Sequence, residues 1–164
     1  TRVEEYEERI AQLFRAHPDR ALFDNLPGAG AALAPRLLAA FGLDRGRWET
    51  AAQLSSYSGI APIEISSGKS QYHQMRMACP KYLRQTFHEF AGKAVAFCPW
   101  SRKYYQAKIA QGKTHNQAVR SLAFKWQRTL WACWITNTPY REETYLESLR
   151  KSGSPYALDL KPAA

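Results

Sequence analysis

Apolar positions recur at three- and four-residue spacing through most of this chain, the repeat that lines one face of a helix. Val3, Tyr6, Ile10, Leu13 and Phe14 make the first stripe, with glutamates between them, and His17-Pro18 ends it. Two heptads of this kind read either as a short coiled-coil seam or as a helix packed on its own domain. Residues 1–21 are therefore set apart as an amphipathic helix and a candidate coiled-coil linker. Next come Leu22-Phe23-Asp24-Asn25-Leu26-Pro27-Gly28-Ala29-Gly30, an apolar run from Ala31 to Phe41, and Gly42. A short helix, a Pro-Gly-x-Gly turn and a second helix make residues 22–42 a helix-hairpin-helix-like element. Its other reading is an ordinary helix corner with a glycine-rich turn. Pro35 falls inside the second helix, which should start late or bend.

Thr50 is placed to cap a helix running to Tyr57, stopped by Ser58-Gly59. From Ile60 to Tyr72 the helical repeat fails. Ile63 and Ile65 alternate with Glu64, Pro62 forbids a helix interior, and Ser66-Ser67-Gly68-Lys69 is a turn signal, so this segment reads as a small hairpin or an extended loop. Helix resumes with Pro80 in a first turn, continues to about Phe97, breaks at Cys98-Pro99 and resumes to Gln111, with Gly112 as its cap. Thr114-His115-Asn116-Gln117 is a capping box opening a long helix, with Leu122, Trp126, Leu130, Trp131 and Trp134 on its apolar side as core. Thr138-Pro139 is read as the start of a last helix to about Lys151, and Gly153-Ser154-Pro155 as releasing an unordered tail, 153–164. The predicted fold class is mostly α, a multi-helix domain over 22–152 with one short extended or hairpin segment near 60–72.

Charge changes the picture from fold to function. Four arginines against six acids give the first 25 residues −2, leaving +11 for the rest of a chain whose net charge is +9. From Ile65 to Arg128 the bases are Lys69, Arg76, Lys81, Arg84, Lys93, Arg102, Lys103, Lys108, Lys113, Arg120, Lys125 and Arg128, against the single acid Glu89. Aromatic residues are interleaved with them throughout. A sustained cationic excess of this kind points to a polyanion as partner, nucleic acid above all. At 164 residues and 45% hydrophobic content, the chain can bury one good core. No apolar run approaches the roughly 20 residues needed to span a bilayer, and no secretory segment opens the sequence, so no membrane partner is expected. The first residue, Thr1, is not a methionine, which fits a domain excised from a longer protein. Cys79, Cys98 and Cys133 form no CxxC pair, and His17, His73, His88 and His115 show no ligand spacing. Neither a disulfide framework nor a metal site is expected.

In order along the chain, Leu26-Pro-Gly-Ala-Gly30, Gln53-Leu-Ser-Ser-Tyr-Ser-Gly-Ile-Ala-Pro62, Ser67-Gly68, Tyr82-Leu83-Arg84, Tyr104-Tyr105, Gly112-Lys113 and Ala123-Phe-Lys-Trp126 form a set. That ordered set resembles the C-terminal domain of the IS110 family of bacterial insertion-sequence transposases, the DEDD-type enzymes, from about Leu22 to Leu149. The resemblance implies an N-terminal RNase-H-like domain whose four acids bind divalent metal (Mg2+), and a structured guide RNA. No cofactor is expected in the present domain, the cysteine usage fits a cytoplasmic, nucleoid-associated protein, and the stripe of Val3, Tyr6, Ile10 and Leu13 points to a homo-oligomer. The resemblance also implies that Ser67, with Ser66 as the alternative, is a nucleophile that attacks DNA. One departure is Ala78-Cys79-Pro80-Lys81, where the family usually places a glycine shortly before the Leu-Arg pair.

The chemistry sought at such a site can be stated residue by residue. A serine needs a base, a metal or a strongly positive surround to become nucleophilic. Arg76 and Arg84 are candidates to meet the non-bridging oxygens of a phosphodiester, with Lys69 and Lys81 as less specific contributors. Gly28, Gly30 and Gly68 would let backbone come close to phosphate. The leading reading is thus a DNA-binding transposase or recombinase domain supplying a serine nucleophile, inactive alone. The alternative is a non-catalytic helix-hairpin-helix nucleic-acid-binding module whose serine turn is structural, and a third reading is a protein-assembly domain without DNA affinity.

Overall fold

A computed structural model describes residues 1–157. Helix α1 (Arg2–Ala16) starts from a capping box in which the Thr1 hydroxyl accepts from the Glu4 N–H while the Glu4 carboxylate reaches back to the Thr1 amino group. None of its residues is buried. Val3, Tyr6, Ile10 and Leu13 stay exposed, and Phe14 alone of the stripe packs against the core.

Helix α2 (Arg20–Phe23), a turn, and helix α3 (Gly30–Phe41) form the helix-hairpin-helix-like arrangement. Asp19, just before α2, is almost fully buried and receives both terminal nitrogens of Arg45, at 2.7 and 2.9 Å. This fork fastens the start of the motif to the loop that follows it. Helix α3 does not start late at Pro35. It runs unbroken from Gly30, because Leu33 and Ala34 before the proline and Leu37, Ala40 and Phe41 after it are all buried on one face. Gly42 ends it at φ +74°.

Helix α4 (Ala51–Tyr57) is capped by the Thr50 hydroxyl, which accepts from Gln53 N–H at 3.2 Å. Strands β1 (Pro62–Ser67) and β2 (Ser70–Met75) form the expected hairpin, antiparallel, in register from Pro62↔Met75 to Ser67↔Ser70. It extends three residues beyond the anticipated 60–72. Gly68 and Lys69 alone make the turn, with Gly68 at φ +59°, the position where a two-residue hairpin turn needs glycine first.

Helices α5 (Lys81–Phe97), α6 (Pro99–Ala110) and α7 (His115–Ile135) build the body, and α7 packs against α4, α5 and α6. Thr114 and Gln117 form the capping box at its start. Along α7 the buried Trp126 meets Phe90, Trp100 and Tyr140 at ring-centroid distances of 5.1, 4.8 and 5.0 Å. All five indole N–H groups are spent inside the protein, on Ala40 O, Tyr140 Oη, Ser101 Oγ, Trp48 O and Gly42 O. The tryptophans are therefore core, as their spacing indicated.

Two boundaries near the end differ from expectation. Helix α8 (Glu142–Lys151) begins at Glu142 instead of Thr138-Pro139. Residues 138–141 stay extended because Tyr140 turns inward, accepting the Trp100 indole N–H at 2.9 Å. The tail was expected to be unordered from 153. Yet the Tyr156 ring packs tilted against that of Tyr104, with centroids 4.8 Å apart, and Ala157 is buried, while 158–164 lie outside the described residues. Among the described residues no helix is long and apolar enough to cross a membrane.

Candidate nucleic-acid interface

The cationic run folds into two knots of like charge. In the first, Arg84 and His88 lie one turn apart on α5, and Arg120 on α7 comes close enough to act on both electrostatically. Burial, then Arg120 and His115, and least of all Arg84, hold the His88 imidazolium below the usual histidine range, against an opposing pull from Glu89 that exceeds the push of Arg84. Burial and Arg84 likewise lower Arg120. In the second knot, burial, Arg128 and Lys108 lower the half-buried Lys125. Its ammonium rests 5.6 Å from the Tyr104 ring centroid, and Lys108 lies 5.3 Å from the same ring.

Glu89, the one acid of this stretch, draws on His88 but forms its ion pair outside both knots. It is bound by Arg36 of α3 at 2.5 Å and by Gln85 at 2.6 Å, which hold its carboxyl below the usual range. Among the described residues Arg84, Lys108, Lys113, Arg120, Lys125 and Arg128 pair with no carboxylate. Between the knots, β2 and α7 enclose a groove of about 470 Å³ lined by His73, Lys108, Lys113, Gln117 and Arg120, over an apolar floor that includes Phe124. Cations over an apolar floor form a track suited to a phosphate backbone.

The lowered His88 value has a consequence for stability. The unfolded chain binds that proton more readily than the folded one, so stability holds above the ordinary histidine pKa of about 6.5 and falls as pH drops below it. The melting temperature should therefore decline between pH 7.5 and 5.5. His88→Asn should flatten that decline, and an unchanged slope in the variant would refute the assignment.

The structure spreads the sequence-predicted residues over several places. Arg76 and Arg84 are brought together, Arg84 Nη1 donating to the Arg76 carbonyl at 3.2 Å. Ser66, Ser67, Gly68 and Lys69 sit at the exposed hairpin tip, where a Cβ on Gly68 would meet nothing within 4 Å. Arg76 follows Met75 at the other end of the hairpin. With about 3.3 Å per residue, five steps separate the level of Ser66 from Arg76 and six that of Ser67, roughly 17–20 Å along the hairpin. Gly28 and Gly30 part company as well: a Cβ on Gly28 would lie 2.9 Å from the Lys93 backbone, whereas around Gly30 the space is open. The close approach at Gly28 is helix packing against α5. Lys81 is exposed at the first position of α5.

Sequence reasoning missed the groove. Its signal was available in Gln117, Arg120, Ser121 and Phe124, which stand at i, i+3, i+4 and i+7 on one helical face.

Residues 20–106 match the family described as Transposase IS116/IS110/IS902. Over 149 residues the chain is 35% identical to a 43.6 kDa protein of insertion element IS110 from Streptomyces coelicolor, covering 90% of this chain and 35% of that protein. It is 30% identical to a 42 kDa protein of IS900 from Mycobacterium paratuberculosis, over 88% of this chain and 36% of the relative, and 31% identical to a 44.8 kDa protein of IS116 from Streptomyces clavuligerus, over 80% and 33%. The fold and the cationic face thus belong to a domain of the kind found in proteins of mobile elements. The chain belongs to the IS116/IS110/IS902 transposase family, and it spans about a third of the length of these relatives.

This membership corrects the leading expectation. Transposases of the family work through a RuvC/DEDD-like nuclease domain and not by a serine-recombinase mechanism. Locally, among the described residues neither Ser66 nor Ser67 makes a side-chain hydrogen bond, and the arginines expected beside them stand at the far end of the hairpin. Among the described residues no three His, Cys, Asp or Glu side chains gather as metal ligands. Two of the thiols are quiescent too: burial pushes Cys98 up to about 11 and raises Cys133. The reading of this domain as donor of a serine nucleophile is therefore withdrawn.

Proposed function

We propose that this chain is a non-catalytic nucleic-acid-binding module of a transposase, gripping DNA through its phosphates while the cutting chemistry resides elsewhere in the full protein. The observation that carries this reading is the crowding of Arg84, His88 and Arg120, and of Lys108, Lys125 and Arg128, whose lysines and arginines pair with no carboxylate among the described residues. Crowded cations cost stability in the free protein, and a polyanion relieves that cost. Residues 22–152 form the binding unit. The guide RNA rests on the family resemblance alone, and a homo-oligomer on the exposed stripe of α1.

A titration of a duplex of arbitrary sequence tests the proposal. Each neutralised phosphate releases counterions, contributing about −0.9 to the slope of log affinity against log salt. A slope of about −3 or steeper, insensitive to sequence, is expected. A flat response would refute the reading.

A further inference from the structure

The chain leaves the phosphate groove at Met75 and enters a second recess at the next residue. This recess, of about 540 Å³, is lined by Arg47, Trp48, Gln53, Tyr57, Arg76 and Pro80 among others. Tyr57 keeps 53% of its surface exposed although its ring is braced by Trp48, with centroids 5.4 Å apart. Trp48 cannot yield, because its indole N–H donates to Ala40 O at 3.3 Å and its carbonyl accepts the Trp131 indole at 2.9 Å. The Arg47 guanidinium lies 5.0 Å from the Trp48 ring centroid.

Arg76 is held as firmly. Its carbonyl accepts from Arg84 Nη1 and from the Cys79 thiol at 3.8 Å, and Cys79 in turn fills the space that a side chain on Gly59 would need, 2.4 Å from where its Cβ would stand. Within this pinned segment the Arg76 Nε is buried and has no hydrogen-bond partner. A buried guanidinium N–H without an acceptor is costly; Arg36 Nε and Gln127 Oε1 are left in the same way, and Arg76 in addition lines the recess.

We propose that this recess holds one unpaired nucleotide of a DNA strand, its base stacked on Tyr57 and its phosphate on Arg76, with Arg47 as the second cation. A bare anion would engage the arginines and leave the exposed ring uncovered. A base inside a duplex has both faces occupied by its neighbours, so only a nucleotide out of the stack can lie flat on Tyr57. An aromatic platform beside a cationic groove is the general device of single-strand recognition.

This inference rests on the nucleic-acid reading above, and one experiment separates the two. The full chain is titrated into a twenty-nucleotide oligothymidylate carrying a single 2-aminopurine, and into a duplex of equal length, with anisotropy and 2-aminopurine emission recorded. Stacking on Tyr57 should quench the emission. Tyr57→Leu keeps the apolar contact with Trp48 but removes the flat ring. It should weaken single-strand binding about fivefold or more, abolish the quench and leave duplex affinity unchanged. Arg76→Gln should also weaken the single strand. Single-strand affinity and quench intact in Tyr57→Leu, or equal losses on both probes, would overturn the recess while leaving the duplex reading in place. Failure of the unmutated chain to bind either probe would overturn both.

Discussion

Gly28→Ala should lower the unfolding free energy by about 2–5 kcal/mol in a urea titration, while Gly68→Ala should lower it by only about 1–2 kcal/mol. Both glycines have positive φ, +82° and +59°, and for an L-residue that region costs roughly 1–2 kcal/mol. The remainder comes from space. A Cβ on Gly28 would stand 2.9 Å from the Lys93 carbonyl carbon, and backbone in mid-helix cannot move aside as a side-chain end can, so overpacking adds about 1–3 kcal/mol. At Gly68 nothing lies within 4 Å. Equal losses at both positions would mean that α5 yields to the added methyl, and that the turn of the helix-hairpin-helix element is not set by this contact.

That pair of glycines also shows what the sequence could and could not convey. Turn chemistry is local, so Thr50, Gly42, Gly68, Gly112 and the Thr114 capping box could all be read from neighbouring residues, and the helices and the hairpin followed from them. What a glycine's empty side faces is not local: Gly28 faces a lysine backbone 65 positions later, and Gly59 faces Cys79. The same limit explains the delayed start of α8, because Tyr140 is drawn out of helix by Trp100 forty residues earlier. For function, the cationic excess was legible as a sum, whereas its division into two knots and a groove needed α5 and α7 to be laid side by side. The serine turn misled for a related reason. Ser67 and Arg76 are close in sequence, but a hairpin puts its turn and its base at opposite ends.

The double variant Arg84→Gln/Arg120→Gln should lose about a hundredfold in duplex affinity at low salt, with the slope of log affinity against log salt becoming shallower by about 1.8. Two charge-assisted contacts at about 1.5 kcal/mol each amount to roughly that factor, and two fewer counterions released account for the slope. Loss of fold would mimic the first effect but not the second, and the fold should survive. The Arg84 bond to the Arg76 carbonyl is lost, a cost of about 1 kcal/mol, but the like charges acting on each other and on His88 vanish with it. Removing both arginines leaves burial and His115 still depressing His88 against the weaker pull of Glu89. The loss of melting temperature toward pH 5.5 should therefore shrink in the double variant, at the same time as DNA affinity falls. A more basic His88, a shallower salt slope and an intact melt together belong to a cationic site built for phosphate. An unchanged salt slope would show that Arg84 and Arg120 touch no phosphate, and the interface would then have to be sought at Lys108, Lys125 and Arg128.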